Sequence, residues 1–221
     1  MKTIDFTIDK SEMLRYTGHR GDIVPPHIDR IADKVLSGCV AAVTPRSVVR
    51  RYSIEPVTDG VAVGNTGLIL AGKDIKNHLS GCSECYIICV TAGTGADSFI
   101  RTMMAVDTVH GLLADGAATA AVESCCDSVE NTLREELKKE GKYLTWRYSP
   151  GYGDFPFTQQ PDILALLQAD KFAGVICTDS CMMIPSKSVT AIMGIADSKP
   201  AHRQRKCDTC PNKDNCNFSC R

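Results

Sequence analysis

An excess of charge of either sign is the first thing this sequence lacks: across 221 residues, 25 Lys and Arg stand against 26 Asp and Glu. No global field recruits nucleic acid or an anionic membrane surface, so neither is an expected partner and any such binding must be local. Long hydrophobic runs are missing too, and none approaches the roughly 20 apolar residues that span a bilayer. The opening MKTIDFTIDKSEML interleaves charges with apolar residues and offers neither a signal-peptide core nor a transit-peptide bias, so a cytoplasmic location is expected. Two catalytic patterns are also missing. None of the five histidines falls in an H-E-x-x-H pair, and no Ser-His-Asp arrangement is legible in the residue order. No internal repeat is visible.

What is present is an ordinary globular balance, 43% hydrophobic and 23% charged, with enough chain for one sizeable core. We read one domain over 1–198 and a basic, cysteine-rich tail over 199–221. The 12 cysteines are the compositional oddity. Without a secretion signal they read as reduced thiols, metal ligands or redox groups, not as a disulfide scaffold. Cys82, Cys85, Cys89, Cys125, Cys126, Cys177 and Cys181 are expected to be mostly small buried hydrophobes. In the tail, CDTCPNKDNCNFSC sets Cys207, Cys210, Cys216 and Cys220 in a C-x2-C-x5-C-x3-C pattern, close enough to wrap zinc or hold an iron-sulfur cluster. The preceding HRQRK reads as a solvated linker, with a phosphate contact as the alternative.

Along the chain, KTIDFTID predicts a short strand and SEMLRYTG a helical turn. Pro25 and Pro26 open a helix whose Ile28, Ile31, Ala32, Val35 and Leu36 recur at helical spacing. Val48 to Leu70 reads as a β meander, Asp74 to Leu79 as a short helix, and Cys85 to Gly93 as a buried strand. Two helices are expected next, Ala96 to about Leu113 and about Ala117 to Glu140, the second closed by Gly141. PDILALLQA predicts a helix, FAGVICTD a strand, and MMIPSKSVTAIMGIAD an irregular pair of strands. Separated strands and consecutive helices point to an α+β fold.

Three stretches carry chemistry. GTGADS, Gly93 to Ser98, lies between a strand and a helix like a phosphate or nucleoside turn, but lacks the third glycine and reads better as a tight turn. Glu123, Asp127, Glu130 and Arg134 line one helix face, and Glu123, at the edge of an alanine-rich half, needs a cation to offset its burial. RYSPGYGDFPFTQQPD, from Arg147 to Asp162, combines a planar guanidinium suited to a carboxylate, a Pro150-Gly151 bend that bares backbone, and the aromatic face of Tyr152. An amino acid joined to a nucleoside would use all three; composition alone reads better as a structural turn with a salt-bridged arginine.

RYSPGYGDFP resembles the R-x-x-P-G-Y loop of the activation domain of cobalamin-dependent methionine synthase, in its stand-alone form. AAVESCCDSVENTLREE is similar to that family's helix with an AdoMet-contacting glutamate, and MIPSKSVTA to its M-x-P-x-x-S-V segment. The resemblance implies a C-shaped α+β domain on a twisted antiparallel sheet with flanking helices, presenting AdoMet to a cobalamin held elsewhere. It implies that Arg147 holds the methionine carboxylate, with Ser149, Gly151, Tyr152 and Glu123 completing the pocket. No D-x-H-x-x-G loop is present, so cobalamin would arrive on a partner methyltransferase subunit, with an electron donor such as flavodoxin or ferredoxin. The implied activity is that of a methyltransferase component supporting reductive reactivation in methionine biosynthesis. A small-molecule methyltransferase using GTGADS and a non-enzymatic metal-binding adaptor are the alternatives. Met193 stands where the family has an aromatic, and no N-terminal acidic contact is recognisable.

Overall fold

A computed structural model describes residues 4–19, 21 and 23–199. In chain order the elements are α1 (Lys10–Tyr16), α2 (Pro26–Ala42), β1 (Arg46–Val57), β2 (Gly60–Val63), β3 (Ile69–Ala71), α3 (Lys73–His78), β4 (Cys82–Thr91), α4 (Thr94–Val106) and α5 (Thr108–Lys139). They continue with β5 (Tyr143–Leu144), α6 (Gln160–Leu167), α7 (Ala169–Phe172), β6 (Ile176–Cys177), β7 (Met183–Ile184) and β8 (Ser188–Ala196). Six strands form one antiparallel sheet in the order β3-β2-β1-β4-β8-β5, and β6 and β7 pair as a separate hairpin. The α+β expectation holds.

The unbroken apolar run of β4 follows from burial on both of its faces. Tyr86, Ile88 and Val90 pack with Ala191, Met193 and Ile195 against Cys126, Val129, Leu133 and Leu137 of α5. The alternate residues Cys85, Ile87 and Cys89 meet Ile75, Phe155, Ile163 and Leu167 on the other side. Each fully buried Ile or Leu contributes about 1.5–3 kcal/mol, so two covered faces make this strand the centre of the core. A third cluster joins α1, α2, α4 and the first half of α5, where Ala114, Ala117, Ala118 and Ala121 let the helices approach closely.

Three expectations are corrected. Residues 4–9 form no strand: Ile4, Phe6 and Ile8 alternate as a strand would, but they pack on the helical layers, and the Ser124 hydroxyl accepts from Thr7 N–H. The break between the long helices falls at Asp107, not between Leu113 and Ala117. The Asp107 carboxylate caps α5 by accepting from His110 N–H, while Gly116 lies mid-helix under the carbonyl of Met13 where α1 crosses. The FAGVICTD strand shrinks to Ile176–Cys177, because Phe172 ends α7.

At the far edge, Arg51 of β1 grips Glu84 of β4 with two bonds of 2.8 and 2.7 Å and reaches Glu140 at 2.9 Å, while Lys142 meets Glu84 at 2.7 Å. Hydrogen bonds from Arg51 and Lys142 pull the Glu84 carboxyl down to about 2 from its ordinary 4.5. A carboxyl lowered on folding stabilises above its unfolded pKa, and that contribution disappears as pH falls through the folded value. Glu84→Gln should therefore cost about 1 kcal/mol at neutral pH, allowing for solvent screening. Urea melts should show the gap to wild type closing between about pH 4.5 and pH 2.

Candidate functional site

After α5, Gly141 turns the chain back and residues 143–148 run along the edge of β8. Tyr143 and Leu144 pair with Ala196 and Ile195, Thr145 N–H donates to Gly194, and Tyr148 and Ile192 exchange both backbone bonds at 3.0 and 2.8 Å. This ladder aims Arg147 at α5 and sends Tyr148 into the core on the opposite side of the sheet.

The guanidinium of Arg147 donates to Glu130 at 2.9 Å through Nη1 and to Glu123 at 3.2 Å through Nη2, which also lies 2.8 Å from Asp127. All three acids belong to the stripe on α5; Glu123 does meet a cation, Arg147, but it is 42% exposed, so the expected burial of its carboxylate is not found. Burial weighs against the charge on Arg147, but Cys126, Asp127 and Glu130 together outweigh it and its pKa is raised. Glu130 also takes two bonds from Arg134, which in turn donates to the carbonyls of Leu144 and Thr145. Three carboxylates against two guanidinium groups leave the cluster with a formal surplus of one negative charge.

Exposure divides the acids. Glu130 and Arg147 are 17% and 19% exposed, whereas Glu123 and Asp127 are 42% and 65% exposed. Glu130 is the inner anchor, and the other two face water. Tyr16 of α1 stands nearby, its phenol pushed up by burial and by the charge of Glu123. Alongside, a groove of about 680 Å³ follows the outer face of α5 between Asp5, Thr7, Ser124, Asp127 and Asn131. Asp5 is thus an N-terminal acid close to the cluster, which the sequence pattern did not single out.

The loop after Arg147 is a tight double turn. Gly151 has φ of 92°, a region that disfavours side chains, and its N–H donates to the Phe155 carbonyl at 2.9 Å. Tyr152 N–H donates to Ser149 at 3.1 Å and Phe155 N–H to Tyr152 at 3.0 Å, with Phe155 buried as the anchor. The half-exposed Tyr152 ring stands edge-on to Tyr148, with centroids 5.7 Å apart. Asp154 accepts from Lys73 and Asp74 N–H at 2.8 and 2.9 Å, fastening the loop to the start of α3. The structure therefore joins Glu123 to Arg147 directly. Ser149, Gly151 and Tyr152 lie around the sheet edge, on a loop anchored through Tyr148 and Phe155 in the other layer.

The remaining motifs are occupied by the protein itself. In GTGADS, a Cβ on Gly95 would strike the Ala42 carbonyl, and Asp97 accepts from both the N–H and the hydroxyl of Ser186 at 2.8 and 2.7 Å. That is the tight-turn reading. In the MIPSKSVTA segment, Lys187 meets Asp115 at 2.8 Å and Thr119 at 3.0 Å, locking β8 to α5. Met193 is wholly buried between sheet and α5. Burial pushes the Cys85, Cys89 and Cys125 thiols up to about 12, as for inert packing groups. Cys207, Cys210, Cys216 and Cys220 lie outside the described residues, and among the described residues no group of His, Cys, Asp and Glu is arranged to hold a metal ion. No helix among them is long and apolar enough to cross a membrane.

A search of curated proteins gives no match. Among solved structures, the fold is similar to a crystal structure of the MetH reactivation domain bound to AdoHcy. The TM-score is 0.60 and the identity 17%, over 88% of this chain and 76% of that one. The family model for the activation domain of vitamin B12-dependent methionine synthase matches residues 83–210, more than half of the chain and inclusive of α5, the Arg147 loop and β8. The chain therefore belongs to the family of the vitamin B12-dependent methionine synthase activation domain.

Proposed function

We propose that this protein binds AdoMet at the Arg147 cluster and serves as the reactivation subunit of a partner that carries cobalamin. The observation that carries the reading is the shared Nη2 of Arg147, held by two water-facing carboxylates while Nη1 stays on the more shielded Glu130. An amino-acid zwitterion fits such an arrangement by exchange. Its carboxylate takes the outer side of Arg147, and its ammonium takes the released Glu123 or Asp127, so no charge is left unpaired. Asp5 adds a further acid at the groove. The cluster's surplus negative charge complements the net positive charge of AdoMet, and the Tyr152 ring offers a face to a sulfonium or a purine.

When bound, AdoMet supplies a methyl group on a positively charged sulfur, the form needed to methylate cobalamin after its one-electron reduction on the partner. This chain's part is positioning rather than proton transfer. Arg147 orients the amino-acid end, Glu130 holds Arg147, and Gly151 lets backbone approach the ligand. The four tail cysteines, by spacing alone, would hold zinc or an iron-sulfur cluster that anchors the partner or relays the electron. The electron would come from a donor such as flavodoxin or ferredoxin.

Calorimetry should show AdoMet binding to the wild type, and Arg147→Ala should weaken it about 10- to 100-fold, the worth of a lost charge-assisted contact. A wild type that gives no heat defeats the proposal. Glu130→Gln should lower stability by about 1–2 kcal/mol in urea melts, because two guanidinium groups lose a part-buried partner. Glu123→Gln, at the wetter end, should cost affinity with little loss of stability. Anaerobically purified full-length protein should contain zinc or iron in near-stoichiometric amount, and metal-free protein would remove the tail's role.

A further inference from the structure

The loop that carries Gly151 and Tyr152 has little secondary structure of its own, and α3 supports it at both ends. At the start of α3, Asp154 accepts from Lys73 and Asp74 N–H, and the Asp74 carboxylate accepts from Asp154 N–H at 3.1 Å. At its last residue, His78 is buried among the side chains that flank Arg147. Its ring stacks on Tyr148 with centroids 4.9 Å apart and meets Trp146 edge-on at 4.8 Å. Its Nε2 lies 3.0 Å from the Thr145 hydroxyl, which accepts from Gly194 N–H at 2.8 Å and so ties the imidazole to β8.

Tyr148 turns this packing into loop geometry. Its ring lies between His78 and Phe155, the latter at 6.3 Å and 29°, and its hydroxyl donates to the Tyr152 carbonyl at 3.2 Å. Burial raises the phenol to about 12, so the group remains a donor near neutral pH. The Tyr152 carbonyl also accepts from Phe155 N–H. The phenol bond is thus added to a turn that backbone bonds already close, and ties that turn to the core. We infer that His78 is a positioning residue for the ligand loop: its ring fixes Tyr148, and through the Tyr148 hydroxyl it sets where Gly151 and Tyr152 stand relative to Arg147. This inference rests on the reading that AdoMet binds at that loop. No sequence motif marks His78, a lone histidine at the end of a six-residue helix.

The test is AdoMet calorimetry on the full chain for wild type, His78→Ala, His78→Phe, Tyr148→Phe and the His78→Ala/Tyr148→Phe double variant, with a thermal melt of each. His78→Ala and Tyr148→Phe should each weaken binding about 5- to 10-fold, and the double variant should lose scarcely more than either, because both act through one bond. His78→Phe restores the stacked ring and should recover binding to within about 3-fold of wild type. Trp146, the one tryptophan of the chain, reports the loop directly: its emission should respond to AdoMet in wild type and His78→Phe and respond less in His78→Ala. A purely structural His78 would lower the melting temperature while leaving affinity and the Trp146 response unchanged, and that result overturns the inference. So would multiplicative losses in the double variant. Should His78→Ala fail to fold, Tyr148→Phe and His78→Phe decide the question, since unchanged affinity in Tyr148→Phe refutes it. Absence of AdoMet binding in wild type would instead overturn the functional reading, and the positioning role with it.

Discussion

A guanidinium at the edge of the sheet, largely shielded from water, must be met by negative charge or it destabilises everything around it. In this protein that guanidinium is Arg147, and α5 answers it with Glu123, Asp127 and Glu130. The pairing does two jobs at once. It fastens the longest helix to the strand-like segment along β8, with Arg134 reinforcing the same edge through two backbone carbonyls. It also creates a polar centre whose inner half is fixed and whose outer half faces water, the asymmetry that an exchangeable ligand site requires.

The rest of the architecture places that centre. β4 is the middle of a sheet covered on both faces, so β8 beside it is rigid, and the segment from Tyr143 to Tyr148 inherits its geometry from β8. Along that segment Arg147 and Tyr148 go to opposite sides. One meets the charges of α5 and the other joins the core that supports the glycine turn. The candidate site therefore straddles the sheet edge, with its electrostatic grip in one layer and its aromatic surface borne from the other. The short helix α3 supports the second of these by holding the turn at Asp154 and Tyr148.

Much of this was legible beforehand because it depends on local pattern. The spacing of Glu123, Asp127, Glu130 and Arg134 places them on one face of any helix they form, and the stretch from Cys85 to Val90 within β4 had to be buried because no polar residue interrupts it. Errors fell where local pattern and tertiary packing disagree. Ile4, Phe6 and Ile8 alternate like a strand, yet the nearest unfilled apolar surface belonged to helices. Gly116 looked like a break, yet α5 runs through it to let α1 cross, while the stronger capping group, Asp107, set the true boundary.

By itself the sequence determined the α+β class, the identity of the charged stripe, and the arginine and glycine-tyrosine turn that mark the family. Those follow from residue chemistry and short-range periodicity. Only the tertiary structure decided that Arg147 and the stripe are partners, that Asp5 comes to the same groove, and that His78 stands behind Tyr148. Each of these joins residues far apart in the chain, and such meetings depend on which surfaces bury one another, a quantity that no local spacing encodes.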